Sequence, residues 1–124
     1  MKTRRIAAMT FATLSAALMV TSVGVGAANA SSSLTGSYGG VNRITVSYAT
    51  SSNVLSVKDL REDGYGGRSF WSTSAGYSGV KDNSNGYNTT TTTTIPGSGT
   101  LSYNACVKNG STNIACTGYA SDTV

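Results

Sequence analysis

Asp59, Glu62 and Asp63 are the residues in this 124-residue chain whose types and spacing come closest to a catalytic set. Two carboxylates of such a group could divide acid and base roles in sugar hydrolysis. They stand ahead of Gly64 in a charged, glycine-rich segment, however, and a small sheet protein offers little cleft around such a loop. Neighbouring acids there keep a turn solvated, and that is the reading adopted. The chain contains no histidine, so the usual general base for a serine or cysteine nucleophile is missing. The expectation is a protein that is not an enzyme, with no catalytic residue and no cofactor.

The same acidic segment, or Asp82-Asn83-Ser84-Asn85-Gly86, has oxygen ligands at alternating positions that could suit Ca²⁺. Neither follows the twelve-residue calcium-loop pattern, and Asx-type turns bonding their own backbone are favoured. Two thiols without histidine make zinc implausible. Cys106 and Cys116, ten residues apart, are instead expected to form a disulfide. Closing a loop of that size would stabilise the fold by about 3 kcal/mol in the chain-entropy view.

A further set with binding chemistry is aromatic. Tyr65, Phe70, Trp71, Tyr77 and Tyr87 are interleaved with Gly, Ser and Asn, the composition of adaptable contact surfaces in which rigid rings supply area at low entropic cost. The same composition also serves a sheet core and its rim. Tyr65, Phe70, Trp71 and Tyr77 are taken as the candidate partner contacts, whereas Tyr103 is assigned to packing.

These residues need a scaffold, and the compartment constrains it. Lys2, Arg4 and Arg5 precede an uncharged apolar stretch from Ile6 to Val25, and Ala28 and Ala30 supply an A-x-A cleavage pattern. Residues 1–30 read as a secretory signal peptide, leaving 31–124 as one domain, secreted and either extracellular or wall-associated. No membrane attachment is expected after cleavage. The chain's net charge of +4 owes much to that segment: beyond it, six basic residues face five acidic ones. No basic stripe is present to neutralise phosphates, so nucleic acid and anionic membranes are poor partners.

Beyond Ser31 the chain is rich in Ser, Thr, Gly, Asn and Tyr, which favour strands and turns, and no helical apolar period persists. Ile44, Val46 and Tyr48 fall on one face of a strand Val41–Tyr48, and Leu55 and Val57 repeat the alternation in Val54–Lys58. Asp59 to Gly67 reads as a loop. Further strands are Arg68–Thr73, a short one at Val80, Tyr87–Ile95, Leu101–Val107 as the central strand, and Asn113–Ala120. Phe70 and Trp71 must point to opposite faces. Six threonines from Thr89 to Thr94 suit an edge or covered strand, although one run lacks the repeated ranks of an ice-binding face. About seven strands with regular turn signals predict an all-β, small antiparallel two-sheet sandwich with one disulfide.

The last hairpin contains a conflict. Asn109-Gly110 as a two-residue turn would pair Cys106 with Asn113 and project Cys116 from the opposite face. A disulfide therefore requires a longer loop, such as Gly110 to Thr112, or a bulge in one strand. The bridge is favoured over the simple turn.

The order threonine strand, Ile95-Pro96-Gly97, Tyr103, Cys106-Val107-Lys108-Asn109-Gly110-Ser111 resembles strands E, F and G of a fibronectin type III domain over the last 38 residues. The Ile95 to Tyr103 spacing is longer than in that family, and its early Trp is replaced by Trp71 in mid-chain. The resemblance implies an immunoglobulin-like sandwich with a spacer or binding role. The leading expectation is a secreted, non-catalytic binding module for an extracellular protein or carbohydrate. The alternatives are an inhibitor of an extracellular hydrolase, acting through a loop at Asn109 to Asn113, and a structural subunit that self-associates through Thr89 to Ile95.

Overall fold

A computed structural model describes residues 31–124; the export segment read at residues 1–30 lies outside the described residues. Ten strands form two antiparallel sheets, and there is no helix among the described residues. They are β1 (Ser31–Tyr38), β2 (Val41–Ala49), β3 (Val54–Asp59), β4 (Gly66–Thr73), β5 (Ser78–Asn83), β6 (Thr90–Thr94), β7 (Thr100–Tyr103), β8 (Cys106–Asn109), β9 (Thr112–Cys116) and β10 (Ala120–Thr123). One sheet runs β1-β2-β3-β6; the other runs β10-β7-β4-β8-β9, with β5 on the far side of β4.

The excess of three over seven strands has three sources. Serine-rich β1 was not expected as a strand, since only Leu34 offers a large apolar side chain on its inner face; the positive-φ pair Gly39-Gly40 turns it into β2. The predicted central strand is also divided in name only. Trp71 pairs with Tyr103 and Arg68 with Cys106, the same register on both sides of the break. Between them Asn104 substitutes its side chain for its own carbonyl: Phe70 N–H donates to Asn104 Oδ1 at 2.8 Å, while Asn104 N–H donates to the Phe70 carbonyl. The predicted strand Asn113–Ala120 is interrupted at residues 117–119, where Thr117 Oγ1 accepts the Ala105 N–H.

The sheets stack because alternation is regular where it matters. Ile44, Val46 and Tyr48 of β2 and Leu55 and Val57 of β3 face Leu101, Tyr103, Ala105 and Val107 of β7 and β8, all fully buried. β4 lies over this cluster with small residues. A Cβ on Gly67 would stand 2.7 Å from Val57 Cγ1, so only glycine admits so close an approach of the two sheets. Trp71 packs against the core edge, and its ring lies over Gly79.

The hairpin conflict is settled by a bulge. Gly110 and Ser111 are the turn residues, with Gly110 at φ 63° and Asn109 pairing with Thr112. Moving the turn by one residue preserves parity and would leave Cys106 opposite Ala115. The ladder therefore shifts at Val107/Lys108, Ile114 becomes the extra residue and packs inward, and Cys106 meets Cys116 at a Cα separation of 4.0 Å.

Two buried polar groups tie the sheets together. Asn83 Nδ2 donates to the carbonyls of Val57 and Thr89, and its Oδ1 accepts from Asn85 N–H and Thr89 Oγ1. At the other end Tyr103 Oη bonds Ser32 Oγ at 2.6 Å, and Ser32 donates to Asp122. Burial, with the Asp122 charge adding to it, pushes the Tyr103 hydroxyl up to about 12, against a smaller opposing effect of the Ser32 bond. Burial and Asp122 also raise Tyr48.

Asn83→Ala, which removes four hydrogen bonds of a fully buried amide and leaves a cavity between the sheets, is expected to lower stability by about 2–4 kcal/mol in chemical denaturation. Ser69→Ala, which removes a buried hydroxyl without a partner, should leave stability unchanged or raise it. Tyr103 has a folded pKa above its unfolded value, so its contribution is complete below pH ~10 and lost as pH rises through about 12. That loss amounts to about 2–3 kcal/mol. Melting curves from pH 9 to 12 should therefore fall steeply for the native chain and less steeply for Tyr103→Phe, with Tyr48 maintaining part of the slope.

Candidate functional site

Four connections meet at one end of the sandwich: the β1–β2 turn, the segment 60–65 between β3 and β4, the segment 84–89 between β5 and β6, and the β8–β9 turn. Between the last three lies a cleft of about 540 Å³. Tyr65 and Tyr87 line it together with Asp59, Glu62 and Lys108. Of the eleven charged residues beyond residue 30, only Asp122 belongs to the opposite end, near the β7–β10 pairing.

The walls are held by polar contacts. Arg43 projects from β2, pairs with Asp63, donates through Nε to the Tyr38 carbonyl, and lies 4.9 Å from the Tyr65 ring centre. Tyr38 meets Tyr65 edge-on at 5.8 Å. Asp63 also accepts the Tyr65 N–H, so one carboxylate shapes the loop and anchors the cation beneath it. On the other wall Arg68 makes a two-pronged pair with Asp82, its direct neighbour across β4 and β5, and reaches Ser111 O and Asn113 Oδ1 on the β8–β9 hairpin. The Arg68 hydrogen bonds hold the Asp82 carboxyl below its ordinary range, and Asp82 in turn raises Arg68. Lys108, almost fully buried, donates to Ser84 Oγ and the Gly110 carbonyl and lies 3.8 Å from Asp82.

Asp59 departs from the reading of a solvated turn. It closes β3 and is buried, with Oδ1 accepting the Arg61 N–H. Burial raises its pKa above the ordinary carboxylate value, the Arg61 bond opposes that, and the nearby Asp63 charge adds to it. Glu62 stays exposed at the rim. The Asp82 to Gly86 segment forms the expected Asx turn through Asn83, whose side chain has no capacity left for an ion.

The four aromatic candidates do not share a surface. Tyr65 lines the cleft. Trp71 is half-buried against the core, and Phe70, by alternation, stands on the outer face of its sheet opposite Val80. Tyr77 is exposed at the far end, where its ring packs on Gly97. What the sequence reading missed was the grouping: Tyr38, Arg43 and Lys108 went unweighed, although Lys108 beside inward Val107 is by parity an outer-face cation next to a turn. Cys106 and Cys116 form the disulfide on that outer face, the former buried and the latter exposed. Among the described residues no helix is long and apolar enough to cross a membrane.

No family model, curated protein or solved structure matches this chain.

Asp59→Asn keeps the acceptor for Arg61 N–H and removes a buried charge. A raised folded pKa means that the carboxyl's relative stability is present at acid pH and lost as pH rises through the folded value. The Asn variant is therefore expected to melt at or above the native chain at pH 7, with the gain vanishing towards pH 3. A variant that melts well below the native chain at pH 7 would assign Asp59 a structural bond beyond the Arg61 one.

Proposed function

We propose that this chain is a secreted, non-catalytic binding module whose contact surface is the loop-bearing end of the sandwich. The observation carrying the reading is the cleft itself: two tyrosines, a buried carboxylate and a buried ammonium converge between three connections, while the remaining surface is poor in charge. Aromatic faces with hydrogen-bonding groups at their edges suit an extracellular protein or carbohydrate partner. The disulfide is in keeping with an oxidising compartment. The strand order β5-β4, then β7 with β8, then β10 with β9, supports an immunoglobulin-like kinship for that sheet. In the other sheet β3, the strand that precedes β4, pairs with both β2 and the threonine strand β6, which is in keeping with the A-B-E order of such sandwiches, and β1 is added outside β2.

A second reading, inhibition of an extracellular hydrolase, draws on the β8–β9 hairpin. Its base is tied by the disulfide and its tip by Arg68 at Ser111 and Asn113 and by Lys108 at Gly110, so it would enter a cleft with little ordering cost.

The test is capture on a glycan array and from the producer's medium and wall fraction, with native chain, a Tyr87→Ala/Glu62→Gln variant and a Tyr77→Ala variant. The cleft variant is expected to lose capture by about tenfold or more, and Tyr77→Ala to retain it. Capture that survives the cleft variant and fails with Tyr77→Ala would move the contact surface to the far end. Inhibition of a protease or glycosidase that is abolished by substitutions at Asn109 and Ser111 would favour the second reading.

A further inference from the structure

We infer that β6 is a homotypic docking edge, through which a second copy of this chain adds its own β6 to form one continuous sheet. The inference rests on the open edge of the threonine strand and is independent of the cleft.

β6 ends its sheet and pairs only with β3. Two hydrogen bonds at its ends determine which of its groups that pairing consumes. Asp59 N–H donates to the Thr89 carbonyl at 3.1 Å, and Ile95 N–H donates to the Asn53 carbonyl at 2.8 Å, both in the register of the strand pair. In an antiparallel ladder hydrogen-bonded pairs recur every second residue, so Thr91 and Thr93 face β3 with their backbone groups. The N–H and C=O of Thr90, Thr92 and Thr94 therefore point along the open edge, and their side chains are exposed.

The other three edges carry devices against pairing, and this one does not. β1 is broken by a register shift at Gly36/Ser37. β5 carries Lys81 and Asp82. β9 is bulged and separated from β10, which carries Asp122. β6 has five threonines and no charge, glycine, proline or irregularity.

A second copy fits this edge better than a foreign strand because the edge is its own complement. Antiparallel pairing about a two-fold axis at Thr92 sets Thr90 against Thr94 of the second copy and Thr92 against its own counterpart, so each facing pair is threonine on threonine, with hydroxyls able to bond across it. Lys58, opposite Thr90, then shares a row with Val54 of the second copy, so no like charges meet. The row Ser33, Ser47, Ser56, Thr92 continues into the same four residues of that copy as one line of hydroxyls. A five-residue strand offers a small interface, so association is weak and rises with concentration.

Sedimentation velocity over a concentration series tests this with the native chain, Thr92→Pro and Thr92→Lys. Proline at 92 removes only an outward N–H and leaves the β3 ladder intact. The native chain is expected to dimerise, and both variants to dissociate at least about tenfold more readily with unchanged melting temperature. Tyr87→Ala should associate like the native chain, separating this outcome from failure of the cleft reading. A native chain that stays monomeric at its highest attainable concentration overturns the inference, as does undiminished association of the substituted chains. Should Thr92→Pro fail to fold, Thr92→Lys decides alone.

Discussion

The parity of one strand position, from Thr100 to Asn109, governs most of this molecule. Its inward residues Leu101, Tyr103, Ala105 and Val107 supply four of the ten buried residues of the inter-sheet core; its outward residues Cys106 and Lys108 supply one end of the disulfide and the buried ammonium of the cleft wall. A slip of one residue would exchange these sets, burying a lysine among Ile44 and Val57 and exposing Tyr103. Both the Asn104 side chain, standing in for a carbonyl, and the bulge at Ile114 are local adjustments that preserve this parity. The disulfide then locks the adjusted register rather than joining distant parts of the fold.

Where side chains alternate by polarity, the sequence was legible. Ile44, Val46, Tyr48, Leu55 and Val57 were readable as inward residues because each is flanked by polar neighbours, and they are all fully buried. β1 was not readable as a strand, because a run of serines, one leucine and a glycine has no polarity contrast. Its partnership with β2 comes from tertiary pairing and from Gly39-Gly40. The strand ends shifted for a related reason: Asp59 lies in β3, and Gly66 and Gly67 in β4, because proximity of the opposite sheet, invisible in composition, selects glycine there.

The candidate site was less legible than the fold. Residues between 38 and 110 line or support the cleft, and no segment of the chain announces their convergence. Aromatic character alone selected Phe70, Trp71 and Tyr77, yet alternation and turn geometry send these three to three different places. The acidic segment was visible as a cluster, but burial of Asp59 depends on where β3 ends. Such a carboxylate is costly to the fold, and a costly group in a cleft is a sign of selection for something other than stability.

The two ends of the sandwich are stabilised by different physics. At the far end Tyr48 and Tyr103 extend the apolar core and finish it with hydroxyl bonds to Asn53 and Ser32. At the cleft end little apolar area remains, and Arg43 with Asp63, Arg68 with Asp82 and the Asn83 amide substitute for it. Partly exposed ion pairs of this kind contribute modestly to global stability but orient loops strongly, since each guanidinium fixes groups from two or three segments at once. The cleft end is therefore the less deeply stabilised and the more tightly shaped of the two. The binding role proposed for this end would require that combination, a form kept without a core beneath it.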